Sequence, residues 1–228
     1  MAKVKFGSLL TNMSGKLGGQ VYSHNAAGAY LRNIGTIAVA PSASMIASQN
    51  AFASVVAAWK TLSDVQRDAW NAAVCNFVKL NVFSDTYTPN GFNLFCSINR
   101  TRLNINQVLL LFPPAPVMPA QVQGFAVYDF FSSGGFAAVE ASGIVDPAST
   151  LIIEATPPIS PTVNNYKVLL TKITVLYGSS PMPTEIAPAY IAKYGTPTPT
   201  MRGGFKCTPV HTASGTKGQS SYSNYLFP

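Results

Sequence analysis

The sequence predicts an α+β protein with an extended N-terminal arm, a small helical unit of about three helices and a C-terminal antiparallel β-sandwich. Three observations support this order. Apolar residues recur at helical spacing around the two tryptophans, four prolines crowd into residues 113–119, and short strand-like segments follow. We therefore expect four parts in sequence: an arm at 1–40, helices at 41–111, a linker at 112–119 and the sandwich at 120–228.

Residues 1–40 predict extended segments rather than a compact domain. Glycines separate short apolar pieces, and we expect turns at residues 14–16 and 26–28. A two-stranded ribbon is marginally stable alone, so such an arm becomes ordered against a neighbouring protein. The expected anchoring residues are all the basic residues of the segment and two tyrosines: Lys3, Lys5, Lys16, Tyr22, Tyr30 and Arg32.

The charge pattern predicts protein partners. The net charge is +7, and residues 1–40 contain no acid. A basic arm suits an acidic protein surface or nucleic acid, but four charges in forty residues are sparse for nucleic acid. Only 10% of all residues are charged, against about 25% in an ordinary domain. We therefore expect a surface largely covered by other subunits, including copies of this chain.

Residues 41–111 predict three helices. The first covers about 44–61 and the second about 64–80, with Ser63 as its N-cap. The third starts at Thr88 and Pro89, with Thr88 as the expected cap and Pro89 near the first helical position. The expected core residues are aromatic residues at helical spacing: Phe52, Trp59, Trp70, Phe77, Phe92 and Phe95.

Two arginines mark a basic side of the third helix. For Arg100 and Arg102 we expect a solvated face or an ion pair with Asp64 or Asp68, and contact with phosphate is the alternative.

Beyond the prolines, which favour a stiff polyproline II connector, the sequence predicts an immunoglobulin- or fibronectin-like sandwich. Residues 185–194 fit either a helical turn or a strand. Expected strands cover 122–127, 136–141, 151–156, 166–177, 204–211 and 220–226. Aromatic rings here could stack sugars, which gives a carbohydrate- or cell-surface-binding module as an alternative function: Tyr166, Tyr177, Tyr190, Tyr194, Tyr222 and Tyr225.

The sequence offers little for catalysis, so we expect no enzyme and no cofactor. His24 and His211 fall in different predicted parts, and residues 15–19 lack the spacing of a phosphate-binding loop. Cys207 and His211 would supply two ligands at most, and zinc needs three or four. The three cysteines are expected to be free, and no apolar run is long enough to span a membrane.

Several motifs together resemble a known family. They are residues 14–22 (SGKLGGQVY), 28–32 (GAYLR), 48–49 (SQ), 59–62 (WKTL), 66–71 (QRDAWN) and 90–95 (NGFNLF), with 155–158 (ATPP), 189–190 (AY) and 194–195 (YG) in the C-terminal half. This pattern is similar to virion structural proteins of tailed bacteriophages, including phages of Bacteroidetes.

The resemblance implies a particle component without catalytic residues. Its expected role is capsid-associated decoration, cement or the base of a head fibre, and a neck or tail component is the alternative. The partners would be the major capsid protein or neck and tail proteins, in a virion assembled in the bacterial cytoplasm. Members of the family often carry an Arg-rich stretch before the first helix, where this chain has residues 40–44 (APSAS), which argues against DNA contact.

Overall fold

The computed structural model describes most of the chain and confirms the predicted class. It contains helices and several antiparallel sheets and is therefore an α+β protein. No helix in the part that it describes is long and apolar enough to cross a membrane. The described residues are 2–7, 12–25, 27–35, 40–122, 124–132, 136–141, 147–163, 165–178 and 184–227.

The chain forms two compact units. The first combines Met1–Arg100 with Leu109–Pro114, and the second combines Thr101–Val108 with Ala115–Pro228. Residues just upstream of the proline-rich segment are therefore divided between the two units.

The first unit begins with a four-stranded antiparallel sheet. Its strands are β1 (Ala2–Lys3), β2 (Gly15–Leu17), β3 (Gln20–Asn25) and β4 (Gly28–Asn33), in the order β1-β4-β3-β2. None of the described residues 3–35 is buried, so this sheet has no interior of its own.

One predicted turn in this segment is wrong. Residues 15–17 lie in β2, and the chain reverses at Gly18 and Gly19 instead of at 14–16. Gly18 has a φ of +57°, a left-handed conformation that glycine adopts without strain, so it takes the turn.

Helices α1 (Ala43–Thr61) and α2 (Asp64–Ala73) follow, and both are capped by serine. Ser42 Oγ accepts a hydrogen bond from the Met45 amide. Ser63 caps α2, as predicted, and shares a capping box with Gln66.

Helix α2 ends at Ala73 and is shorter than predicted, because the residues that follow form a 3₁₀ turn and a hairpin. A 3₁₀ turn follows at Val74–Asn76, and then β5 (Lys79–Leu80) pairs with β6 (Thr86–Tyr87). Asn81 Oδ1 closes the intervening loop, since it accepts from the amides of Phe83 and Asp85 at 2.8 and 3.0 Å.

Helix α3 (Gly91–Asn104) starts later than predicted. Asn90 Oδ1, not Thr88, accepts from the first turn, at 2.7 Å from the Asn93 amide. Asparagine is the stronger N-cap of the two residue types. A Cβ on Gly91 would lie 2.2 Å from Asn71 Oδ1, so glycine permits the close approach of α3 to α2.

The core of the first unit is aromatic. The ring of Phe95 lies 5.2 Å from the rings of both Trp59 and Trp70, and Phe92 lies 5.6 Å from Trp59. Trp70 Nε1 donates to the Leu111 carbonyl at 2.9 Å, which ties the returning segment to α2.

The other residues expected in this core differ in burial. Phe77 is half-buried, whereas Phe52 is 48% exposed. The expectation that Phe52 is a core residue is wrong for the single chain, because the part of α1 that precedes Val55 has no buried residue.

The described residues of the second unit form a four-stranded sheet, a three-stranded sheet and a short helix. The strand pairs within these two sheets are antiparallel. Its elements are β7 (Phe125–Ser132), β8 (Phe136–Ala141), β9 (Ser149–Ala155), β10 (Thr171–Tyr177), β11 (Thr184–Glu185), α4 (Ala187–Tyr194), β12 (Arg202–His211) and β13 (Ser221–Leu226). One sheet has the order β10-β9-β12-β13 and the other β11-β8-β7.

Three segments resolve differently from the predicted strands. The strand expected at 122–127 begins only at Phe125 and continues to Ser132 as β7. The first part of 166–177 is a 3₁₀ turn at Lys167–Leu169, and only the remainder forms β10. The ambiguous segment 185–194 is mainly helical, with a proline in the first turn of α4, where its missing amide costs no hydrogen bond.

One apolar cluster gathers residues from several strands of this unit. Phe125 and Val127 of β7 are buried in the same cluster as Ile153, Phe205 and Tyr190. A smaller cluster joins Ile105 to Ile152 and Val210, so residues 101–108 belong to the packing of the second unit.

Candidate interaction surface

The N-terminal sheet separates its side chains by chemistry. Directly paired residues of an antiparallel sheet lie on the same face. Lys16 pairs with Val21, which pairs with Arg32, and Lys3 pairs with Tyr30. Since these two rows are two residues apart along each strand, they share one face, which we call the basic face.

The opposite face, which we call the uncharged face, is defined by the alternate residues. Tyr22 pairs with Leu31, Leu17 pairs with Gln20, and Ala29 pairs with His24. These side chains are exposed or half-buried, and none carries a formal charge with histidine neutral. The six predicted anchoring residues are therefore divided, because Tyr22 lies opposite the basic residues.

Two of the predicted anchoring lysines are held within the first unit. Lys3 Nζ donates to Asn25 Oδ1 at 3.1 Å and to the Ala27 carbonyl at 3.0 Å. Lys5 Nζ forms an ion pair with Asp85 at 3.0 Å. Asn81 Nδ2 adds a bond to the Ala27 carbonyl at 3.3 Å, so the hairpin loop fastens the end of the sheet.

Two cations of the basic face therefore remain accessible to a partner. Lys16 and Arg32 are exposed, and neither forms an ion pair with another described residue. Both are cross-strand neighbours of Val21, so the two charges flank an apolar residue.

Helix α1 is the second part of this surface. Residues 43–54 are exposed except for half-buried Ala51. Met45 and Phe52, seven residues apart, lie on one side of the helix and are both 48% exposed, and Ile46 is 44% exposed. No charged residue occurs between Arg32 and Lys60.

The sequence pattern missed part of this arrangement. The spacing of Phe52, Val55 and Trp59 predicts a helical apolar stripe, but it does not show that the stripe extends past the core to Met45. Asn81 and Asp85 bind Ala27 and Lys5 of the N-terminal segment. The sequence did not indicate these contacts, because it shows only that the loop at 81–85 is polar.

The two arginines of α3 differ from the expectation. Arg100 Nη2 donates to Ser48 Oγ at 2.6 Å. Arg102 is buried and donates to the Val108 carbonyl at 2.7 Å and the Thr212 carbonyl at 2.8 Å. The expected solvated face or ion pair with Asp64 or Asp68 is therefore wrong for Arg102.

Of the residues considered for chemistry, Cys207 and His211 are engaged within the second unit, whereas His24 is exposed on the N-terminal sheet. His211 Nδ1 accepts from the Ser214 amide at 3.2 Å and lies 2.8 Å from Ser214 Oγ, within the turn that follows β12. Burial raises the pKa of the Cys207 thiol to about 12, which disfavours the thiolate that a metal would need. Within the described ranges, no group of three or more His, Cys, Asp or Glu side chains could hold a metal ion.

The tyrosines of the second unit are mostly structural. Tyr166 and Tyr190 are buried, and the Tyr190 ring lies 5.8 Å from those of Phe205 and Phe227. Burial raises the pKa of Tyr190 above its usual range. Tyr177 and Tyr222 are exposed, but they lie on β10 and β13, at opposite edges of their sheet.

Comparison with known proteins adds no relative: no family model, curated protein or solved structure matches the chain.

Proposed function

We propose that this chain is a non-enzymatic structural protein of a tailed-bacteriophage particle, associated with the capsid as decoration, cement or the base of a head fibre. The observation that carries the proposal is the exposed, uncharged first half of α1. An apolar stripe of this kind favours burial against another protein. The family resemblance described above supplies the particle as the setting.

The N-terminal sheet supports the same proposal. A sheet without an interior gains stability when a partner covers one of its faces, because that removes apolar surface from water. The first unit then acts as the anchor, with the uncharged face and α1 against neighbouring subunits. The charges of Lys16 and Arg32 favour an acidic protein surface opposite the basic face.

We also propose that the second unit is a β-sandwich. Support comes from the apolar cluster that contains Phe125 and Val127 from one sheet and Ile153 and Phe205 from the other. If both sheets pack on this core, Val127→Ala and Phe205→Leu will show a coupling free energy of about 0.5 kcal/mol or more in a double-mutant cycle. Additive effects of the two substitutions would argue against a shared core.

The functional proposal is tested on particles. The tagged chain is produced during infection by the phage that encodes it, and purified particles are analysed by mass spectrometry. Met45→Glu combined with Phe52→Glu places charge on the exposed stripe of α1, and we expect incorporation to fall at least tenfold while the isolated protein remains folded.

Val65→Glu is the matched control. Val65 is an apolar residue of α2 that is 72% exposed and lies outside the α1 stripe. We expect normal incorporation of this variant. Equal incorporation of all three proteins, or the absence of the wild-type chain from particles, would refute the proposal. Labelling of particles at the neck or tail would support the alternative position in the virion.

A further inference from the structure

The second unit contains a cavity of about 460 Å³ whose wall includes Arg102. Volumes of this size are typical of small-molecule sites. Arg102 lies in the last turn of α3, and the residue is only 5% exposed. Ser149, at the start of β9, also lines the cavity and is 2% exposed.

Among the described residues, the guanidinium of Arg102 has only neutral partners. Its Nε donates to the Val108 carbonyl, and its Nη1 donates to the carbonyls of Thr212 and Ala213. No described carboxylate forms an ion pair with it. A buried charge without a counterion is costly, because neutral dipoles replace only part of its lost hydration. Burial accordingly lowers the pKa of Arg102.

Two hydrogen-bond donors of these lining residues have no acceptor among the described residues. Nη2 of Arg102 donates to none of the described residues. Ser149 Oγ is buried and likewise lacks a partner in the described part of the chain. A buried hydroxyl of this kind usually has a partner, and its absence here requires an explanation. A guanidinium with a spare N–H group and a hydroxyl without a partner are together suited to an oxyanion.

We propose that this cavity binds a small organic monocarboxylate, whose oxygens accept from Arg102 and from Ser149 Oγ. A guanidinium recognises carboxylates well because its N–H groups match the two oxygens. Arg102 is the only cation among the described lining residues, so a ligand with a single negative charge balances it. A phosphate, with a charge of about −1.5 to −2, would remain partly uncompensated.

The first experiment uses the whole protein and simple probes. Sodium acetate, propionate and benzoate are compared with sodium chloride and phosphate at equal ionic strength. We expect a carboxylate to raise the melting temperature in a saturable manner, as a ligand of the folded state does. We also expect it to shift the Nε–Hε resonance of Arg102 in an NMR spectrum.

Variants then assign the site. Ser149→Ala removes one hydroxyl and should weaken the binding of carboxylate roughly tenfold, as expected for one hydrogen bond to a charged group. Arg102→Met should abolish it. Arg202→Met is the matched control, since Arg202 lies on β12 outside the cavity and places its guanidinium 5.9 Å from the ring of Tyr166.

Several outcomes would overturn the proposal. They are equal responses to chloride and carboxylate, tighter binding of phosphate than of any carboxylate, or undiminished binding by Ser149→Ala. If Arg102→Met does not fold, the wild-type protein provides the test of Arg102. The dissociation constant obtained from the shift of the Arg102 resonance must then equal the one obtained from the melting temperature. Asp146 directly precedes the lining residue Pro147 in the sequence, so Asp146→Asn is a further control. Loss of carboxylate binding in that variant would also count against the proposal.

Discussion

Phe95 joins the two tryptophans of the first unit into one aromatic core. Its ring is in edge contact with Trp70 and in tilted contact with Trp59, and both Trp70 and Phe95 are fully buried. Aromatic pairs of this kind contribute about 0.5–1.5 kcal/mol beyond the burial of their area. The core of the first unit therefore combines a few interlocking rings with the buried aliphatic side chains of Val55, Leu62, Leu94 and Ile98.

Substitution of these rings separates buried from exposed positions. We expect Trp70→Ala to lower the free energy of unfolding by about 3–5 kcal/mol, and Trp59→Ala by less because Trp59 is only half-buried. Phe52→Ala should cost less than about 1 kcal/mol, since half of that side chain is already in water. Urea unfolding measures all three, and a large effect of Phe52→Ala would contradict the exposed position of its ring.

The ion pair of Lys5 and Asp85 predicts a pH dependence. The hydrogen bond from Lys5, followed by that from Asn81, lowers the pKa of Asp85 from its ordinary value of 3.8. A carboxyl whose pKa is lower in the folded state stabilises that state above its ordinary pKa, and the contribution is lost as the pH falls through the lowered value.

The titration of the Asp85 carboxyl carbon, followed by NMR, measures this effect. We expect its midpoint to lie below 3.8 in the wild-type protein and to rise toward that value in Lys5→Met. An unchanged midpoint in Lys5→Met would show that the lysine is not the cause of the shift. Lys16→Met, at an exposed lysine on another strand, is the matched control and should leave the midpoint unaltered.

At the level of elements, the two halves of α1 differ in burial: the second half packs against the core, and the first half does not. Val55 is fully buried, but nothing between Ala43 and Ser54 is buried. Most of the stability of a helix in a protein comes from the packing of its apolar face. The first half of α1 therefore depends on the Ser42 cap, on the hydrogen bond from Arg100 to Ser48 and on the helix propensity of its alanines.

This asymmetry predicts the exchange of backbone amides with solvent. In the isolated protein, amides of 47–54 should exchange much faster than those of 94–102 in α3, whose face includes the buried residues Leu94, Phe95 and Ile98. Hydrogen-exchange mass spectrometry measures both segments. Equal protection would mean that α1 is stabilised without a partner, whereas slower exchange of 47–54 in particles would identify the covered surface.

The elements also show what the sequence could predict. Helices α1 and α3 and most strands of the second unit follow from periodicity, and the cap of α2 follows from Ser63. The end of α2 did not follow, because the pairing of β5 with β6 is not a helical pattern. The start of α3 did not follow either, because neighbouring polar residues compete for the same amides. Asn90 takes the capping role expected of Thr88.

The candidate sites were less predictable than the elements. Four of the six predicted anchoring residues (Lys3, Lys16, Tyr30 and Arg32) lie on the basic face, because alternation along a strand determines the face of each side chain. The burial of Arg102 was unpredictable, since its acceptor at Thr212 lies 110 residues further along the chain. No local pattern records such a contact.

At the level of the whole molecule, the chain passes from the first unit to the second, back to the first, and again to the second. Helix α3 contributes its residues up to Arg100 to the first unit and Thr101–Asn104 to the second. Segment Leu109–Pro114 then belongs to the first unit again. The proline-rich segment therefore follows a region in which the chain has already passed between the units.

Two substitutions, one on α3 and one directly after it, test this division. Ile105 follows α3 and is fully buried with Ile152 and Val210, whereas Leu94 of α3 is buried in the first unit. Ile105→Ala should destabilise the second unit by about 2–5 kcal/mol, measured by labelling of the Cys207 thiol in urea. Leu94→Ala should instead lower the unfolding midpoint reported by tryptophan fluorescence, because both tryptophans lie in the first unit. The reverse pattern would contradict the division.

The order β1-β4-β3-β2 has a consequence for the behaviour of many copies held close together. The outer strands are the shortest, with two residues in β1 and three in β2. Unpaired backbone groups along a long border would template strand after strand from further chains, and short borders that carry lysine suppress this kind of growth. Growth of this kind from the N-terminal sheet is thereby disfavoured when copies of this protein are crowded together.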